Sequence, residues 1–196
     1  MTVPRGSTGA SERGPDHSGG VGTSPIDPAS SNPVAIVTAA TRGVGRQIAH
    51  ELAGRGFAIV VVYLDDQLAA EATVGELLAA RAPAVAVRAD LVDELDVERL
   101  FTESNAAFGG VDVVVHATIR GAALVNQHAA RELRRGGAIV SLFDADGITP
   151  DLAHKLRARD VTVNGVAPGV EPPGRERDIA ELLAVLDRWR RGRESL

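Results

Sequence analysis

From Val34 onward, six short apolar runs rich in β-branched residues alternate with helical stretches, and this alternation limits the fold more than any other feature. The runs are VAIVT (34–38), FAIVVVY (57–63), AVAVRA (84–89), VDVVVHA (111–117), GAIVSLF (137–143) and VTVNGVA (161–167). They are apolar on both faces, as in a parallel sheet covered by helices. Because short connections between alternating strands and helices give right-handed crossovers, we predict an α/β protein with a doubly wound, Rossmann-like parallel sheet of about six strands.

The chain is predicted to contain one such domain, at residues 34–191. Residues 1–33 hold 20 Gly, Ser, Thr or Pro residues and few large apolar side chains, which predicts a disordered tail. The stretch RERDIAELLAVLDRWRR is predicted to be the last helix, and residues 192–196 a short C-terminal tail.

Composition excludes several classes of function. The 196 residues include no cysteine, which rules out disulfides and thiolate chemistry, and the five histidines show no metal-ligand spacing, so no metal is predicted. The net charge of -5 offers no broad basic face for a nucleic acid. Neither a membrane span nor a secretion signal is readable, so the prediction is a cytoplasmic protein without a membrane partner.

The first run ends in TAATRGVG (38–45), which leads straight into a helical stretch. Small residues there let the backbone approach a pyrophosphate, and the helix N-terminus offers free N–H groups and a partial positive charge. The alternative is that a strand-to-helix turn needs glycine without any ligand. The cofactor-binding residues predicted here are Thr38, Thr41, Arg42, Gly43, Val44 and Gly45.

The stretch TAATRGVGRQIAHEL resembles the TGxxxGxG fingerprint of the short-chain dehydrogenase/reductase family. VRADLVDELDVERLF is similar to the third strand and following helix of 3-oxoacyl-acyl-carrier-protein reductases and polyketide ketoreductases. Later segments of the family are matched, in order, by GGVDVVV, RGAALVNQHAARELRRGGAIVSL, VTVNGVAPG and DIAELLAVL. The resemblance covers about residues 33–190. It implies a shortened version of that fold, NAD or NADP as cofactor, and adenine contacts from Asp90 and Leu91.

The implied cofactor preference is mixed. Arg42 resembles the basic residue that faces the 2′-phosphate in members that prefer NADP. Asp65, which follows the second strand, would repel that phosphate and suits the free ribose 2′-hydroxyl of NAD. The alternative is that Asp65 and Asp66 only cap the helix that begins near Gln67.

The chain departs from the family where catalysis would occur. The first glycine of the fingerprint is Ala39, and the Asn-Asn-Ala-Gly segment is replaced by residues 116–119, HATI. About twenty residues are then missing, Asp144 occupies the position of the catalytic serine, and the YxxxK segment is gone, since the only tyrosine is Tyr63. The lid, the threonine that holds the nicotinamide amide and the final strand are also absent. Ordinary ketoreduction is therefore not expected.

His116 and Asp144 end two strands that are neighbours in the predicted sheet order, at the edge where open α/β sheets bind ligands. A carboxylate beside an imidazole can raise its basicity and abstract a proton. We predict these two residues as the catalytic pair, with Asp146 as a further acid. The alternative is that His116 satisfies strand-end backbone groups and Asp144 caps a turn.

Three functions remain open. The first is a non-redox enzyme of the lyase, isomerase or cyclase type in a polyketide-like secondary pathway. The second is a catalytically inactive module that binds a nucleotide or pairs, as a homo-oligomer or heteromer, with an active homologue. The third is a residual NAD(P)-dependent oxidoreductase. The expected partners are a small-molecule substrate or a nucleotide.

Overall fold

The computed structural model describes residues 32–143, 148–166 and 174–194, in which six strands alternate with six helices. The strands are β1 (Val34–Val37), β2 (Ala58–Tyr63), β3 (Ala84–Arg88), β4 (Val111–His116), β5 (Leu133–Ser141) and β6 (Thr162–Gly165). The helices are α1 (Gly43–Gly54), α2 (Gln67–Ala79), α3 (Glu94–Phe108), α4 (Ala122–Glu132), α5 (Pro150–Arg157) and α6 (Gly174–Glu194). All strand pairs are parallel, and the sheet order is β3-β2-β1-β4-β5-β6. The predicted fold class is confirmed.

Three helices, α2, α3 and α5, begin at a short polar side chain that caps the first turn. Asp66 accepts a hydrogen bond from the Ala69 N–H and begins α2, and Asp93 does the same for the Asp96 N–H of α3. Thr149 caps α5, and Pro150 follows it at the first helical position. These caps fix where the helices leave the sheet, and so fix the loops at the carboxyl ends of the strands.

The core has two layers, one on each face of the sheet. One layer packs α1, α2 and α6 against Val113, Val115 and the strand residues that alternate in phase with them. The other packs α3, α4 and α5 against Val114 and Ile139. Because successive side chains along a strand point to opposite faces, the position of each strand-end residue relative to these valines shows which face it lies on. None of the helices in the described ranges is long and apolar enough to cross a bilayer.

At the amino edge of the sheet, a buried carboxylate joins three strands and the last helix. Asp112 of β4 is 1% exposed. Its Oδ2 accepts from the Val34 N–H at 2.9 Å and from Arg134 Nη1 at 2.8 Å, and its Oδ1 accepts from Arg193 Nη1 at 2.6 Å. Trp189 adds a hydrogen bond of 2.6 Å from Nε1 to the Gly136 carbonyl. These contacts hold α6 against the sheet.

Element boundaries at α4, β5 and α6 differ from the prediction. The sequence GAALVNQHAARELRRG predicts a helix to residue 136, but α4 ends at Glu132 and β5 already begins at Leu133. The guanidinium of Arg159, in the segment that follows α5, donates to the carbonyls of Ala130, Arg131 and Leu133 and so satisfies the C-terminus of α4. α6 also continues to Glu194, three residues beyond the predicted helix.

Candidate functional site

The turn from β1 into α1 brings the backbone into close contact with itself. Ala39 has a φ of 51°, in the left-handed region that favours glycine, and it is exposed. A Cβ at Gly45 would collide with the Ala39 carbonyl, so only glycine lets α1 begin this close to the strand. Arg42 precedes the helix without a side-chain cap, and no acidic residue occupies the first turn. The first N–H groups of α1 therefore have no helical partner and favour an anion.

Beside this turn lies a cavity of about 460 Å³ at the carboxyl ends of β1, β2 and β3. That volume falls in the range of small-molecule sites, roughly 300–1,000 Å³. The loop after β4 closes one side of it. The lining residues are Ala39, Thr41, Arg42, Val62, Tyr63, Leu64, Asp65, Asp66, Ala89, Asp90, Leu91, Thr118 and Arg120. Five of the residues predicted from the sequence, Thr41, Arg42, Asp65, Asp90 and Leu91, are thus brought together.

The acidic residues after β2 have different surroundings. Asp66 caps α2 and lies 4.0 Å from the Arg42 guanidinium, which is 83% exposed. Within the described ranges, the Asp65 side chain has no hydrogen bond and no ion pair, although it lines the cavity. The capping interpretation therefore holds for Asp66, while the Asp65 carboxylate is available to a hydroxyl or amine of a ligand.

Asp90 and Arg120 form an ion pair on the cavity wall. Nη2 of Arg120 lies 3.0 Å from Oδ1 and 3.2 Å from Oδ2 of Asp90, and the Val92 N–H also donates to Oδ1 at 3.2 Å. The Val92 N–H and the Arg120 guanidinium hold the pKa of Asp90 below its usual range. Sequence reasoning missed Arg120. A signal was present in the sequence. Arg120 follows the end of β4 by four residues, and because β4 neighbours β1 in the sheet, a residue there lies near the glycine loop.

The other predicted cofactor-binding residues lie around the cavity and not on its wall. Thr38 is fully buried, and its hydroxyl accepts from the Ala117 N–H at 3.1 Å, which ties the end of β1 to the end of β4. Gly43, Val44 and Gly45 form the first turn of α1 next to the lining residues Thr41 and Arg42.

His116 ends β4, as predicted, and lies opposite Ser141 of β5. Its ring is fully buried, and Nε2 donates to Oδ1 of Asn126 in α4 at 2.8 Å. Nδ1 has no hydrogen-bond partner among the described residues. Burial lowers the pKa of the imidazole from 6.5 to about 4, and the Asn126 hydrogen bond opposes that shift. His116 is thus a neutral ring beneath α4. Its proposed partner Asp144, with Asp146, lies outside the described residues.

No three histidine, aspartate or glutamate side chains of the described ranges are grouped as a metal ion requires.

A family model described as short chain dehydrogenase matches residues 33–143. The chain belongs to the short-chain dehydrogenase/reductase family. The hydroxynaphthalene reductase-like protein Arp2 of Metarhizium majus is 31% identical over 179 residues, covering 69% of this chain and 67% of the relative. The 3-oxoacyl-[acyl-carrier-protein] reductase FabG of Staphylococcus aureus is 28% identical, covering 69% and 73%. A short-chain dehydrogenase from Burkholderia cenocepacia J2315 in complex with NADP is 29% identical with a TM-score of 0.60, covering 70% of this chain and 74% of that one.

The family is one of oxidoreductases, and related members bind a nicotinamide cofactor. The residues around the cavity can be compared with what such a cofactor needs. The cavity presents the carboxylate of Asp65, which has no partner in the described ranges, beside the guanidinium groups of Arg42 and Arg120. The start of α1, with N–H groups that have no helical partner, lies next to it. A carboxylate can accept a hydrogen bond from the ribose hydroxyl of an adenosine, and cations and a helix N-terminus can bind its pyrophosphate. The residues present therefore fit such a dinucleotide.

Proposed function

We propose that this short-chain dehydrogenase/reductase protein binds a nicotinamide adenine dinucleotide but does not carry out the carbonyl reduction that relies on a tyrosine. The observation that supports it best is the 460 Å³ cavity, which Arg42, Asp65 and Asp90 line at the carboxyl edge of the sheet. In this proposal Thr41 and the start of α1 hold the pyrophosphate, Arg42 faces a 2′-phosphate, Asp65 binds the adenosine ribose, and Asp90 with Leu91 binds the base. The nicotinamide would supply a hydride when bound.

The second half of the proposal rests on the groups that could move a proton. Tyr63, the single tyrosine, lines the cavity at the end of β2, where the adenosine half would bind. The sequence between β5 and β6, residues 142–161, contains no tyrosine, and Lys155 is its only lysine. Lys155 is half-exposed on α5 and pairs with Asp151 at 2.7 Å. A positioned general acid typically contributes a factor of about 100 to 10,000, so its loss would leave binding without efficient reduction.

Titration calorimetry with NADH and NADPH tests whether the protein binds a dinucleotide and shows which of the two it prefers. We expect Asp65→Asn to strengthen NADPH binding relative to NADH by about tenfold, or about 1.4 kcal/mol, because it removes a negative charge near the 2′-phosphate. Arg42→Gln should weaken NADPH more than NADH, because it removes the exposed guanidinium beside the same position.

The matched controls are Glu103→Gln and Arg135→Gln, which remove exposed charges of the same signs away from the cavity. Both should leave the two affinities unchanged. Absence of binding by the wild-type protein up to millimolar dinucleotide would overturn the binding proposal. NADPH oxidation by a 3-oxoacyl thioester, at a rate typical of enzymes, would overturn the claim that reduction is lost.

A second candidate function is proton transfer by His116 with Asp144. It is supported by Nδ1 of the neutral His116 ring, which is unprotonated and has no hydrogen-bond partner among the described residues. It predicts turnover of β-hydroxyacyl or β-ketoacyl thioesters in the absence of any nicotinamide. His116→Ala should abolish that turnover, while His154→Ala, an exposed imidazole on α5, should retain it. Full turnover by the His116→Ala protein would eliminate this function.

A further inference from the structure

A buried hydrogen bond closes the base of the loop between β4 and α4. His116 is the last residue of β4, and its Nε2 donates to Oδ1 of Asn126 in α4 at 2.8 Å. The backbone between these two residues carries Thr118 and Arg120, which line one wall of the cavity. One pair of buried side chains therefore joins the two ends of the loop that forms this wall.

The two ends of the loop are held differently. The first residue after β4 is tied to β1, because the Ala117 N–H donates to the Thr38 hydroxyl at 3.1 Å. The start of α4 has no such local tie. Gly121, with a φ of 72°, precedes the helix without a side-chain cap, whereas α2, α3 and α5 each begin at a capping side chain. The position of the start of α4 therefore depends on tertiary contacts, and the hydrogen bond to Asn126 is one of them.

The tip of the loop is packed closely against the segment after β3. A Cβ on Gly121 would collide with the Leu91 carbonyl, and Arg120 lies 3.0 Å from Asp90. The side chains of this ion pair are 57% and 32% exposed, and ion pairs in such surroundings contribute little to folding. A small movement of the start of α4 would therefore shift the cavity wall, with little resistance from the ion pair.

Burial makes the bond between His116 and Asn126 costly to lose. The ring is fully buried, and Asn126 is 2% exposed. Within the described ranges Nδ1 has no partner, so the bond to Asn126 is the one that the ring makes there. Without its acceptor, the Nε2–H would stay unsatisfied unless α4 moved enough to admit water.

We propose that His116 and Asn126 are positioning residues for the dinucleotide site, and that their hydrogen bond holds the loop where it forms the cavity wall. This inference rests on the proposed dinucleotide binding. Neither residue lines the cavity, so their effect on the ligand passes through the loop. Molecules in which the loop has moved do not bind, and the apparent affinity falls in proportion to their fraction.

The test is calorimetric titration of the full chain with NADH. We expect Asn126→Ala to weaken binding about tenfold, because it removes the acceptor and lets the loop move. Asn126→Asp keeps an oxygen acceptor at the same place and should restore the affinity to within about twofold of the wild type. If the alanine variant does not fold, Asn126→Ser serves instead, because its hydroxyl is too short to reach the ring.

Hydrogen exchange separates positioning from a general loss of stability. In Asn126→Ala the amides of residues 117–121 should exchange faster than in the wild type, while those of β1 and β2 keep their wild-type rates. A merely structural role would instead lower the melting temperature and speed exchange throughout the sheet, with the affinity of the folded protein unchanged. That result would overturn the positioning role.

Asn105→Ala is the matched control. Asn105 of α3 donates to Glu132, the last residue of α4, at 3.4 Å, so it joins the two helices at the end away from the loop. Its removal should keep the wild-type affinity, and an equal loss in both alanine variants would contradict the proposal. Failure of the wild type to bind NADH would refute the dinucleotide binding itself. The exchange of residues 117–121 would then still show whether Asn126 holds the loop.

Discussion

Asp112→Ala is expected to lower the free energy of unfolding by about 3 kcal/mol, because it leaves three donors without their acceptor at the base of the sheet. The carboxylate is 1% exposed and accepts from the Val34 N–H, Arg134 and Arg193. Arg134 and Arg193 are 39% and 37% exposed, so both can turn toward water, but the N–H at the start of β1 cannot. Urea unfolding followed by circular dichroism measures the loss.

The matched control for this substitution is Glu103→Ala. Glu103 pairs with Arg99 across one helical turn at 3.5 Å, and both side chains are more than 40% exposed. Removal of such a pair should change the free energy of unfolding by no more than about 0.5 kcal/mol. If the two substitutions cost the same, the Asp112 cluster does not hold α6 and the sheet together in the way described.

The strand pattern predicts most of the fold because the sheet is buried on both faces and its strands are short and β-branched. The starts and ends of β1 to β4 and β6 lie within two residues of the apolar runs. The start of β5 could not be predicted in this way. Its first residues, LRRG, continue a helical sequence, and where the helix ends Arg159, after α5, donates to the carbonyls that the helix leaves without a partner. That is a tertiary contact, with no local signal.

The candidate site was predictable to a similar degree. The glycine loop, Asp65 and Asp90 are brought to one cavity because parallel strands end at the same edge. The direction of the His116 side chain could also have been found from the sequence, since Val113 and Val115 face α1 and α6, and the alternate residue His116 must face α4. The contact between Arg120 and Asp90 depends on how far a loop reaches across two strands, and spacing does not encode that distance.

The buried imidazole of His116 leads to the other large expected effect, a loss of stability in weak acid. Its folded-state pKa is about 4, and that of an exposed histidine is 6.5. Between these values the unfolded chain binds a proton that the folded chain does not, so stability is complete above pH 6.5 and falls as the pH decreases toward 4. At 1.36 kcal/mol for each pKa unit, the full loss is about 3 kcal/mol.

Urea unfolding at pH 7, 6, 5 and 4.5 measures this slope for the wild type, His116→Gln and His154→Gln. Gln cannot be protonated, so we expect the His116→Gln protein to lose most of the slope between pH 6.5 and 4.5, whatever its stability at pH 7. A smaller slope should persist, because burial between α3 and α4 also lowers the pKa of His128. His154→Gln changes an exposed ring and should keep the wild-type slope. An unaltered slope in His116→Gln would mean that the ring accepts its proton without unfolding. Nδ1 of His116 must then reach water or a carboxylate in the native state, as the proton-transfer function requires.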